Sequence, residues 1–120
     1  MIRVMLVDDH ALVRMGFRML LGNADMEVVA EAQTGEEACQ QVPKVKPDVV
    51  VMDLTMPRMS GLTAIQRIMA VAPGARILAV SVHDETVFVM QALKAGAAGY
   101  VSKGSAPEEL VDAVRAVSRG

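Results

Sequence analysis

Tryptophan is absent from this 120-residue chain, and Phe17, Phe88 and Tyr100 are its only aromatic residues. Its core must therefore be aliphatic, drawn from Val, Leu, Ile, Ala and part of the ten Met. Cys39 stands alone, which excludes an internal disulfide and leaves nothing that demands an oxidising compartment. No apolar run reaches the length of a membrane span. The opening run, Met1 to Val7, is broken by Arg3 and leads straight into Asp8-Asp9, so it reads as a strand rather than a signal peptide. A cytoplasmic location is expected. A basic excess is missing too: the formal net charge of −2 argues against a chain whose main task is holding nucleic acid. Neither G-x-x-x-x-G-K-[ST] nor G-x-G-x-x-G occurs, which disfavours nucleotide binding.

What the chain does have is alternation. Strand-like runs at Arg3 to Val7, Glu27 to Glu31, Asp48 to Asp53, Arg76 to Ser81 and Gly99 to Ser102 are each followed by a helix-like segment. The helices are expected over Leu12 to Leu21, from Thr34 to a stop before Pro43, over Gly61 to Val71 and Glu85 to Ala95, and from Pro107 to about Ser118. Thr34 with Glu37 three residues on forms a capping box, and Ser105-Ala106-Pro107-Glu108 gives a second start signal. Pro57 marks a turn. The run Val49-Val50-Val51-Met52 has no polar alternation, as expected of a strand covered on both faces. Five βα units imply an α/β fold, a parallel sheet with right-handed crossovers and helices on both faces. The length leaves room for one compact domain over residues 1–120, and any further domain is expected to begin beyond Gly120.

In such a sheet, ligands sit beyond the carboxyl ends of the strands. The first strand ends in Asp8-Asp9, the third in Asp53, the fourth in Ser81, and the fifth just before Lys103. Three carboxylates within a few ångströms repel by about 4 kcal/mol per close pair at an effective dielectric near 20. Either one acid protonates or a cation neutralises the cluster. An all-oxygen site suits Mg²⁺, with Mn²⁺ able to substitute, and such a site suits phosphoryl transfer. Lys103 supplies a second positive charge, and Ser81 can donate to a phosphoryl oxygen. Asp53, central in the sheet if the third strand lies beside the first, is the carboxylate placed to become an acyl phosphate. Taken singly, each residue has a plainer reading. The acid pair can cap a helix, Asp53 can serve a turn, Ser81 can end a strand, and Lys103 can be solvated. Thr55 and His83, each two residues past a site residue, would flank the path of a hydrolytic water and tune phosphoryl lifetime. Most Met are read as core, with Met56, Met59 and Met90 as candidates for a partner face. Asp25, Asp48 and Asp84 are read as loop or capping residues.

The motifs Val7-Asp8-Asp9-His10, Met52-Asp53-Leu54-Thr55-Met56-Pro57 with Gly61 beyond, Ser81, and Gly99-Tyr100-Val101-Ser102-Lys103 resemble, in order and separation, the receiver domains of two-component response regulators. The resemblance runs from Val4 to about Ser118. Around His10, Gly96 to Tyr100 and Lys103-Gly104 it is most similar to the NarL/FixJ subfamily, whose full-length members carry a C-terminal helix-turn-helix DNA-binding domain. The resemblance implies a flavodoxin-like (CheY-like) doubly wound fold with strand order 2-1-3-4-5. It implies Asp53 as phosphoacceptor, Asp9, Asp53 and the Thr55 backbone carbonyl as direct Mg²⁺ ligands, and Asp8 acting mostly through water. Lys103 would contact the phosphoryl group, Ser81 would move to bond it, and Tyr100 would swing inward behind it. Such a domain takes its phosphoryl group from a sensor histidine kinase. It catalyses only its own phosphorylation and dephosphorylation, and passes a signal from the face of its fourth helix, fifth strand and fifth helix. Homodimers on phosphorylation are implied, with DNA touched only through a domain outside this chain and no membrane contact. The alternative output is a stand-alone receiver acting by protein contact.

Two departures stand out. Where most receivers have a cis proline after the lysine, this chain has Gly104; a cis bond there costs about 2.5–4 kcal/mol, so a trans bond and a more mobile Lys103 are expected. Ser81 replaces the commoner Thr. Competing aspartyl-nucleophile phosphatases of the haloacid dehalogenase type need a second Asp two residues after the first, where Thr55 stands. A flavin-binding relative of the same fold wants a Ser/Thr-rich loop where Asp8-Asp9-His10 stands.

Overall fold

A computed structural model of the chain describes residues 1–56, 58–82, 86–105 and 107–120. Five βα pairs follow one another: β1 (Ile2–Val7), α1 (Ala11–Gly22), β2 (Met26–Ala32), α2 (Gly35–Val45), β3 (Val49–Asp53), α3 (Gly61–Val71), β4 (Ile77–Ser81), α4 (Thr86–Ala95), β5 (Gly99–Ser102) and α5 (Pro107–Arg119). The strands form one parallel sheet in the order β2-β1-β3-β4-β5, the expected doubly wound topology.

Side-chain alternation along the strands divides the core in two. Met5, Val7, Val50, Met52, Ile77 and Ala79 face one way and meet Ala38 and Val42 of α2, Ile65 and Ile68 of α3, and Ala92 of α4. Val4, Leu6, Val49, Val51, Leu78 and Val80 face the other way and meet Leu21 of α1 and Leu110, Val114 and Val117 of α5. Every residue of β3 and β4 is buried, so the uninterrupted apolar runs are explained by helices on both faces. Full burial of each Val, Leu or Ile contributes about 1.5–3 kcal/mol, and this aliphatic packing is what holds the carboxyl ends of the strands in register.

Thr34 caps α2 as expected: its Oγ1 accepts from the Glu37 N–H at 3.1 Å, while the Glu37 carboxylate accepts from the Gln33 N–H at 3.0 Å. The expected stop before Pro43 is not observed. α2 runs through Pro43 to Val45. In the last turn the proline forfeits only its own bond to the preceding turn, and the Lys46 N–H closes onto the Val42 carbonyl at 2.9 Å. Lys46, at φ 53°, ends the helix in the left-handed region. Asp48 precedes β3, and its Oδ2 accepts from the Arg3 N–H at 2.7 Å, as befits a loop residue. Met56 is buried in the core and so offers no partner face; Met59 is half-buried and packs against the core, and Met90 is exposed. The turn at Pro57, the start of the fourth helix at Glu85, and His83, Asp84 and Ala106 lie outside the described residues.

Candidate functional site: an acidic rim over the sheet

The strand order brings the ends of β1 and β3 side by side, with Val7 opposite Met52. Asp8 and Asp9 therefore emerge beside Asp53. On the other side of β3, Asp53 pairs in register with Val80, which places Ser81 at the same rim. Ser81 pairs with Ser102, and the Lys103 N–H donates to the Ser81 carbonyl at 2.7 Å, which turns Lys103 toward the acids. Among the described residues, Asp8, Asp53 and Ser81 are the buried polar side chains, and all three lie at this rim. A fold that buries polar groups at one place only has built a site there.

Each acid is held differently. Asp8 accepts from the His10 N–H at 2.9 Å through Oδ1 and from the Lys103 ammonium at 3.1 Å through Oδ2. Asp53 accepts from the Thr55 N–H at 2.9 Å through Oδ1, and its Oδ2 lies 3.3 Å from the Lys103 nitrogen. Asp9 is more exposed, with Oδ1 3.1 Å from His10 Nδ1. The Thr55 and Ser81 hydroxyls stand 3.5 Å apart. Tyr100, half-buried on β5, packs against the core on the α2–α4 side. Behind Asp53, the N-terminus of α3 approaches so closely that a Cβ on Gly61 would lie 2.4 Å from the Asp53 carbonyl oxygen. Only glycine fits there. The Lys103–Gly104 peptide is trans. The turn beyond it is tied by the Gly104 and Ser105 N–H groups, both donating to Ser102.

Burial pushes the Asp53 carboxyl above its ordinary range; Asp8 adds to the rise, while the Thr55 N–H and Lys103 oppose it. For Lys103, burial works against the charge but is outweighed by Asp8 and Asp53, and the ammonium is held above its usual range. One ammonium thus faces three carboxylates, a formal excess of two negative charges. Atoms of Asp8, Asp9, Asp53 and His10 that can bind a metal lie within 4.8 Å of one another. Among the described residues, Asp9 Oδ1 and Asp53 Oδ2 are buried atoms without a well-aligned hydrogen bond, each facing a basic nitrogen, of His10 at 3.1 Å and of Lys103 at 3.3 Å. Hard oxygen donors in a pocket short of two positive charges fit a divalent cation.

The decisive comparison agrees with this geometry. The response regulator receiver domain family matches residues 4–115. The chain belongs to that family. The receiver domain is 44% identical over 121 residues to the response regulator GacA of Pseudomonas viridiflava, covering 100% of this chain and 56% of GacA. A two-component response regulator of the LuxR family from Aurantimonas superposes with a TM-score of 0.96 at 44% identity, covering 99% of this chain and 86% of that one. The receiver of NarL from Mycobacterium tuberculosis superposes at 0.92 with 37% identity, covering 99% and 97%. The likeness is thus to the NarL/FixJ group, as the sequence motifs suggested. The receiver domain spans about half the length of the curated relatives it matches.

Sequence reasoning named Asp8, Asp9, Asp53, Thr55, Ser81 and Lys103, and the structure brings all of them to one rim. His83 lies outside the described residues. Two participants were missed. His10 was not given a place in the acid cluster, although its position directly after the acid pair was a signal. Arg14 was not singled out at all. Its guanidinium donates to the Asp8 carbonyl at 2.6 Å, a contact to backbone that no side-chain motif announces.

Proposed function

We propose that this receiver domain accepts a phosphoryl group on Asp53 in a Mg²⁺-dependent reaction. The donor would be a phosphohistidine on a sensor histidine kinase, or a small acyl phosphate. The observation that carries the reading is Lys103, whose ammonium reaches both Asp8 and Asp53 across the rim. A carboxylate oxygen of Asp53 attacks phosphorus, the bond from phosphorus to the donor breaks, and the donor leaves with its electron pair and takes up a proton. Thr55 fixes the plane of the Asp53 carboxylate through its backbone N–H, and Lys103 meets the developing charge on the phosphoryl oxygens. Asp9, Asp53 and the Thr55 carbonyl would hold the cation directly, with Asp8 acting through water; Mn²⁺ would serve as well. When bound, the cation neutralises the phosphoryl oxygens as they approach the acids. Water later cleaves the acyl phosphate, so the domain catalyses only its own modification and its reversal.

The added dianion biases a two-state element. Ser81, one strand away from Asp53, would bond the phosphoryl group, and Tyr100 would move into the space behind it. The face of α4, β5 and α5 then carries the signal, with homodimerisation as one consequence. Because GacA is nearly twice as long as the stretch matched here, we also propose that the output is control of transcription. A helix-turn-helix domain outside residues 1–120 would then make the DNA contacts, in the cytoplasm. Among the described residues, no helix is long and apolar enough to cross a membrane.

The test is incubation with acetyl phosphate and Mg²⁺, followed by intact mass measurement, for the parent and Asp53→Asn. One added phosphoryl group on the parent, absent with a chelator and absent from the variant, is expected. Equal modification of both proteins excludes Asp53 as the acceptor.

A further inference from the structure

Asp9 is the least anchored acid of the cluster, and residue 14 brackets it on both sides. The Arg14 N–H donates to the His10 carbonyl at 3.1 Å as the first turn of α1 closes. Its guanidinium turns back and donates through Nη1 to the Asp8 carbonyl at 2.6 Å. The Asp8 carbonyl belongs to the peptide that carries the Asp9 N–H. Fixing it fixes the direction in which the Asp9 carboxylate leaves the chain. On the far side of the same loop, the Asp8 N–H is held by the Ala32 carbonyl of β2 at 3.1 Å.

Arg14 is itself locked. Its side chain is 11% exposed, and Nε donates to Glu31 Oε1 at 3.0 Å. The other Glu31 oxygen is taken by Arg18. A plain helix-to-sheet ion pair would direct both prongs of the Arg14 fork at Glu31, the bidentate arrangement a carboxylate favours. Here one prong goes to Glu31 and the other to the loop backbone. The arrangement is that of a brace: Glu31 on β2 sets the guanidinium, and the guanidinium sets the peptide between the two acids.

Resting on the functional reading above, we propose that Arg14, oriented by Glu31, is a positioning residue for the divalent cation. It holds the Asp8–Asp9 peptide so that the Asp9 carboxylate faces Asp53. It touches neither cation nor phosphoryl group. Groups that orient metal ligands from behind carry tenfold to a hundredfold of affinity in general. Arg18, which reaches Glu31 alone and not the loop, is the internal control.

The experiment is Mg²⁺ titration by calorimetry of chelator-stripped protein, with urea unfolding measured in parallel. Arg14→Gln is expected to weaken Mg²⁺ binding about tenfold. Arg14→Lys, which keeps a donor for the carbonyl but loses the fork, is expected to recover most of that loss, and Arg18→Gln to bind as the parent does. Unchanged affinity in Arg14→Gln, with stability alone reduced, overturns the proposal and leaves the functional reading intact. If Arg14→Gln does not fold, Glu31→Met, which removes the acceptor while keeping most of the volume, makes the same distinction: weakened affinity supports the brace and parental affinity overturns it. A parent that binds no Mg²⁺ overturns the functional reading instead.

Discussion

Replacing Lys103 with methionine removes the single ammonium that the acids share while keeping most of its buried stem. At 3.1 and 3.3 Å, and with an effective dielectric near 20, each Lys103–carboxylate pair is worth about 5 kcal/mol of Coulomb attraction. That gross figure is largely offset by the several kcal/mol needed to take each ion out of water. What matters is the state left behind. Asp8 and Asp53, only 3% and 2% exposed, lose their counter-charge without regaining water. Breaking one side of a buried pair generally costs about 3–5 kcal/mol. Lys103, with 17% of its side chain exposed, belongs at the lower end. We expect Lys103→Met to lose about 3 kcal/mol in the presence of a chelator, and about 10–15 °C of melting temperature for a domain of this size. Saturating Mg²⁺ should restore at least half of that loss, and the variant should bind Mg²⁺ more tightly than the parent, because the cation no longer competes with an ammonium. Urea unfolding with and without Mg²⁺ reads both effects. A loss below about 1 kcal/mol, the value of an exposed pair, or a loss that Mg²⁺ leaves unchanged, would refute the reasoning.

Gly61→Ala should destabilise the domain by about 1–3 kcal/mol through the clash with the Asp53 carbonyl, and should slow acetyl-phosphate labelling; parental behaviour in both denaturation and labelling would contradict it. Asp53 has a folded-state pKa raised chiefly by burial, so in metal-free protein its contribution is fully present below the ordinary aspartate range and is lost as pH rises through the raised value. Asp53→Asn should therefore be more stable than the parent at neutral pH with chelator, by about 1–3 kcal/mol, and the gap should close on acidification; matching pH profiles would contradict this. Burial also raises the Cys39 thiol, so its alkylation at neutral pH should be slower than that of a free cysteine, and fast labelling would show the α2–α3 packing to be looser than described.

Much of the fold was written locally. β3 was legible because burial on both faces removes polar alternation, and α3 because its apolar spacing runs from Gly61 to Val71 and Pro73-Gly74 breaks it. Ser60 caps α3 with a side-chain oxygen that accepts from the Thr63 N–H. The end of α2 was not legible: proline is a breaker in a helix interior, but its cost falls in a last turn that a left-handed Lys46 then closes. The burial of Met56 in the core was also hidden, since methionine suits core and surface alike and only the neighbours decide. At the site, strand ends announced the side chains that converge there, because topology alone gathers them. Arg14 went unseen for a physical reason. Its role runs through a backbone carbonyl, and a carbonyl leaves no letter in the sequence.

The central claim is that the acids of Asp8, Asp9 and Asp53 are gathered to hold a divalent cation. Titration of chelator-stripped protein with Mg²⁺, for the parent and for Asp9→Asn, tests it most directly. One binding site in the parent, at least about tenfold weaker in Asp9→Asn, is the predicted result. No binding by the parent, or equal binding by the two proteins, would contradict it.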